Sequence, residues 1–113
     1  MRKLKRSECA VLHLVLKKKW FDLIASGGKK EEYRCETPYW DVRIAGWENK
    51  AKGTDDEEGK TCVVAFSCGY RKPTMWCLLT MLTYSLKSKF PEWGEPKEPH
   101  YVIVLGDRVE LED

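Results

Sequence analysis

Residues 27–34 read GGKKEEYR and crowd Lys29, Glu32 and Arg34 into six positions around one tyrosine. A carboxylate and a guanidinium two places apart form a directional pair for a planar polar ligand. An adjacent ammonium can bind an anion or polarise a carbonyl. If the stretch is a strand, Lys30, Glu32 and Arg34 share one face and Glu31, Tyr33 and Cys35 the other, with Tyr33 the core-facing member. Periodicity leaves two readings open for the charged face. One is a solvated surface with ion pairs worth about 0–1 kcal/mol each. The other is the lining of a cleft, where desolvation makes the same groups recognition elements.

The flanks say what must position these residues. VLHLVL (11–16) alternates, with Leu12, Leu14 and Leu16 on one face and His13 on the other, as in a half-buried strand. Trp20, Leu23 and Ile24 then fall at helical spacing, and Gly27 and Gly28 stop the helix. KKEEYRC continues as a strand, and TPYWDVRI as a proline-started turn or helix. TCVVAFSC reads as a buried strand, GYRKPT as a hairpin connection and MWCLLTMLTYSL as a long strand. PEWGEPKEP is a rigid loop, because its prolines forbid a regular ladder. HYVIVLG is a core strand, and DRVELE is expected to pair back after a turn at Gly106-Asp107. The sum predicts an α+β fold: a small mixed β-barrel of five or six strands with one or two short helices.

The 113 residues suit a single domain spanning 1–113, opened by a basic segment (1–10) and interrupted by an acidic surface loop (48–60). RKLKR near the start is expected to be a solvated, frayed end. The net charge of +2 hides an asymmetry: residues 1–30 carry +7 and residues 31–113 carry −5. A basic first third favours a phosphate-bearing partner. No apolar run is long enough to span a bilayer, and no signal-peptide pattern opens the chain, so the expectation is a soluble, cytoplasmic protein without membrane association. Five cysteines without a CxxC pair, and only two histidines, predict reduced thiols, no metal site and no cofactor.

The stretch LHLVLKKKWFDLIASGGKKEEYRCETPYW resembles the ASCH domain family, relatives of the PUA RNA-binding domains, through its strand, short helix and G-x-K-x-x-E-x-R motif at Gly27, Lys29, Glu32 and Arg34. FSCGYRKPTM (66–75), PEWGEP (91–96) and YVIVLG (101–106) are similar to segments of small bacterial and phage members. The resemblance implies a PUA-like barrel whose motif residues point into a cleft that takes RNA, a nucleotide or a modified nucleoside. On that footing Lys29, Glu32 and Arg34 are expected ligand-binding residues, with Lys19 reaching phosphate and Tyr70 and Trp93 supplying walls.

Some bacterial members are amidohydrolases of N4-acetylcytidine with a K-x-x-T-x-R segment, and ribonuclease chemistry is associated with others. Here Glu32 stands where that threonine would be. A carboxylate cannot simply replace a hydroxyl nucleophile, but it can act as general base on water with Lys29 stabilising the oxyanion. The enzymatic alternative therefore assigns Lys29 and Glu32 as catalytic, with His13 and His100 not needed. Binding of RNA or a nucleotide is the first expectation and hydrolysis the second.

Overall fold

The computed structural model describes all 113 residues. Six strands form one mixed sheet: β1 (Arg2–Lys5), β2 (Cys9–Leu16), β3 (Glu31–Cys35), β4 (Thr61–Cys68), β5 (Met75–Ser85) and β6 (His100–Glu112). Two helices, α1 (Lys18–Ala25) and α2 (Pro38–Lys52), lie in the connections from β2 to β3 and from β3 to β4. The α+β class and the strand count are as the sequence predicts. No helix is long and apolar enough to cross a membrane.

The sheet runs β1-β6-β5-β4-β2, with β3 also on β6. The thirteen-residue β6 serves three neighbours. Its first half pairs antiparallel with β3 (Tyr33 opposite Val102), its second half parallel with β1 (Leu4 opposite Leu111), and β5 pairs antiparallel along the other edge. The ladder does not close between β2 and β3. The Arg34 side chain spans that seam, donating from Nη2 to the Val15 carbonyl at 3.2 Å.

Burial follows the alternation. Leu12, Leu14 and Leu16 of β2 meet Ile24 of α1, Ile44 and Trp47 of α2, and Val64 and Phe66 of β4 in the main core. Each such side chain contributes about 1.5–3 kcal/mol on burial. Trp47 adds a hydrogen bond from Nε1 to the Ala10 carbonyl at 2.9 Å, which ties α2 to β2. Residues 63–67 of β4 are all buried, because a second cluster of Cys9, Val63 and Val109 packs on the opposite face.

Three expectations are corrected. The basic start is not frayed: RKLK is strand β1, because Leu4 packs on that second cluster and parallel pairing with β6 satisfies its backbone. HYVIVLGDRVELE is one continuous strand with no turn at Gly106-Asp107, since β5 and β1 both continue the ladder beyond that point. The acidic loop is shorter than 48–60: α2 is not a short helix but runs to Lys52, where Gly53, at φ 71°, ends it. Its start is conventional, with Pro38 in the first turn and Thr37 capping the Trp40 amide at 3.2 Å.

Candidate functional site

Glycine turns Lys29 inward. Gly27 adopts φ 84° after α1, and the Gly28 and Lys29 amides both donate to the Leu23 carbonyl, at 2.9 and 3.1 Å. The chain reverses tightly there, and the Lys29 side chain enters the interior with only 2% of its surface exposed. Its ammonium lies 3.0 Å from Glu32 Oε2, 4.3 Å from the centre of the Trp20 ring and 5.5 Å from that of Tyr33. One carboxylate and two aromatic faces replace water around the charge. Burial nevertheless pulls the Lys29 ammonium below the ordinary lysine range, outweighing the attraction of Glu32.

Glu32 is 5% exposed and holds the centre of the cluster. Its Oε1 accepts from the Tyr33 amide at 3.1 Å and from Arg34 Nη1 at 3.4 Å. Its Oε2 sits in ion-pair contact with Lys29 but receives no aligned hydrogen bond. Arg34 also donates from Nη1 to the Tyr33 carbonyl at 2.6 Å, and its guanidinium lies 5.2 Å from the Trp40 ring centre. Strand β3 thus buries residues of both parities. Glu32 turns to Lys29 and Arg34, while Tyr33 makes an edge contact with the His100 ring at 5.7 Å.

That histidine belongs to a second buried pair. His100 Nε2 lies 2.7 Å from Glu95 Oε2, and its Nδ1 lies 2.6 Å from the Glu98 carbonyl. Glu95 Oε1 accepts from the Lys89 and Phe90 amides at 2.7 and 2.9 Å. Burial pushes the Glu95 carboxyl up, but the hydrogen bonds from His100, Phe90 and Lys89 together outweigh it and hold the group below the usual carboxylate range. All of Glu95's contacts hold the loop between β5 and β6 in place, so it acts as a latch. His100 is wholly buried. Local pattern could not find this pair, although prolines at 91, 96 and 99 signal a loop stiff enough to fold back on its own strand.

The remaining expected residues divide. Trp93 stacks on Phe90 at 4.4 Å, on the loop that Glu95 holds. Lys19 is exposed, with its ammonium 4.6 Å from the centre of the Trp20 ring. Tyr70 is fully exposed in the β4–β5 connection and walls nothing, because no neighbour covers it. The partly buried Trp20, legible in the sequence only as part of the α1 stripe, joins the elements: Lys29 and Lys19 approach its ring, and Gly94 packs against it. Gly94 adopts φ 80°, and a Cβ there would fall 2.9 Å from the Trp20 ring. Gly94→Ala is expected to cost about 1–3 kcal/mol through left-handed strain and that collision. Thermal melting with tryptophan emission checks this, and an unchanged melting temperature would contradict it.

The result is an open mixed α+β sheet carrying a buried lysine and glutamate and a half-buried arginine beside an aromatic wall. Comparison of the chain with protein-family models, with curated proteins and with solved structures gives no match.

Proposed function

We propose that the chain is an ASCH-like module that binds RNA or a nucleotide through its polar cluster. The observation that carries this reading is the buried Glu32 carboxylate, held by the Lys29 ammonium on Oε2 and the Arg34 guanidinium on Oε1, whose Oε2 has no partner beyond that ion pair. An amino or imino N–H of a nucleobase is a second donor that Oε2 can take beside Lys29, and the partly exposed Trp20 lies next to the cluster. Lys17, Lys18 and Lys19 at the start of α1 are exposed, with Lys18 paired to Asp22 and Lys19 over the Trp20 ring, which leaves Lys17 to meet phosphate.

Titration of the protein with a single-stranded RNA decamer and with mononucleotides, followed by tryptophan fluorescence, tests this. Glu32→Gln keeps the shape and removes the acceptor charge, and is expected to weaken binding at least about tenfold, the loss of one charge-assisted hydrogen bond. RNA affinity should also fall steeply with salt. No saturable binding by the wild type, or equal affinity in the variant, would refute the reading.

One observation favours a second reading, hydrolysis of an acylated nucleoside or of RNA. Lys29 and Glu32 lie 3.0 Å apart out of water, and burial lowers the lysine, as a general acid–base pair requires. Turnover of N4-acetylcytidine or a labelled RNA, lost in Lys29→Ala and Glu32→Gln, would support it. Turnover unaffected by both changes would exclude these residues as its source.

A further inference from the structure

A groove of about 550 Å³ runs between β2 and α2 and is lined by neither Lys29, Glu32 nor Arg34. The outward residues of β2, Val11, His13 and Val15, form one wall. The other is a single stripe of α2, with Tyr39, Val42, Arg43, Gly46 and Lys50 at helical spacing. Three of the eight exposed large apolar side chains of the molecule gather there: Val15 is 47% exposed, Tyr39 57% and Val42 73%. At Gly46 a Cβ would meet nothing within 4 Å, so the helix wall is open at its middle.

Two further facts narrow the occupant. Strand β2 ends the sheet and pairs only with β4; Trp47 and Arg34 take the Ala10 and Val15 carbonyls, and no strand meets the backbone between them on the other edge. The lining also contains His13, Arg43 and Lys50 and no carboxylate. The Arg43 guanidinium is held 4.0 Å from the Tyr39 ring centre, which orients a cation over the groove. Backbone groups at an edge, apolar side chains at alternate positions and an unopposed positive rim are complementary to an extended chain with aliphatic residues on one face and acids on the other.

We propose that this groove docks an acidic, aliphatic peptide segment of a partner protein, added as a strand alongside β2. Val11 to Val15 spans about 13 Å of strand, so four or five peptide residues occupy it. The aliphatic positions meet Val15, Tyr39 and Val42, and the acids meet Arg43 and Lys50. A strand edge and three valines suit a peptide better than a nucleic acid, which would need stacked aromatics along its path.

Fluorescein-labelled hexapeptides alternating Glu or Asp with Val, Ile or Leu are the probes, read by anisotropy, with ¹H–¹⁵N spectra of the intact protein. Saturable binding is expected, with amide shifts confined to β2 and α2. Arg43→Glu and Val42→Asp, both surface changes, are each expected to weaken it at least tenfold while the spectrum stays folded. Replacing the acids of the probe by lysine should have a similar effect. The proposal is overturned if no acidic hexapeptide binds below millimolar concentration, or if the lysine peptide binds equally well. It is likewise overturned if an RNA decamer shifts the same amides and displaces the probe, or if Val42→Asp converts a dimer to a monomer on gel filtration.

Discussion

Lys29→Ala is expected to lower the unfolding free energy by about 3–5 kcal/mol, because it leaves Glu32 buried with much of its compensation gone. The ammonium and the carboxylate are both almost wholly out of water, at 1% and 6% side-chain exposure, so solvent screens the loss little. Arg34 still donates to Glu32 Oε1 at 3.4 Å, which places the effect toward the lower end of that range. The informative comparison is with the double variant Lys29→Met, Glu32→Leu. Buried ion pairs exchanged for apolar residues of similar volume are often neutral for stability, because both desolvation penalties vanish together. The double variant should therefore recover most of what the single variant loses, while remaining unable to bind RNA or nucleotide. Urea denaturation of the wild type and the two variants decides the matter. A single variant within 1 kcal/mol of wild type would mean that Glu32 is not desolvated as described. Full ligand binding by the double variant would separate the cluster from function altogether.

The second large effect is pH-dependent and lies in the latch. At neutral pH, Glu95→Gln is expected to cost about 2–3 kcal/mol, since a neutral amide replaces a carboxylate that accepts from His100 and two backbone amides. The folded protein holds the Glu95 carboxyl below its unfolded value of about 4.3. Its contribution is therefore complete above that pH and is lost as pH falls through the lower, folded value. Stability measured from pH 7 to pH 3 should fall more steeply below about pH 4 in the wild type than in Glu95→Gln, so the two curves converge. Parallel curves would contradict the assignment. Hydrogen exchange at the Lys89 and Phe90 amides should also quicken in the variant, because both lose their charged acceptor.

Much of this arrangement is legible in the sequence, and the rest has physical reasons for being hidden. The Leu12, Leu14, Leu16 alternation announces β2, and the Trp20, Leu23, Ile24 spacing followed by two glycines announces α1. Together they fix where residues 29–34 emerge, which is why the polar cluster could be anticipated from one octapeptide. Strict alternation failed at β3, where Glu32 and Tyr33 are both buried, because the strand has packed groups on both sides: Lys29 on one, His100 on the other. Strand β1 was hidden because its four residues are three cations and one leucine. Only a distant partner, β6, makes them a strand. Glu95 and His100 were hidden for the same reason. Each is an ordinary polar residue locally, and their pairing exists only once the proline-rich loop has closed.

The last strand has a consequence for how the molecule comes into being. Strands β1 and β3 pair with nothing except β6, which occupies residues 100–112. During synthesis they emerge well before β6 and wait as unpaired edges until residues 100–112 have been made. Joining residues 2–5 to residues 109–112 pairs segments very far apart in the chain, the kind of distant closure that slows folding. The half-built chain holds β2, α1, α2, β4 and β5, while the Lys29, Glu32 and Arg34 cluster lacks the strand that seats β3. The polar cluster is therefore assembled only after β2, β4 and the two helices are already in place.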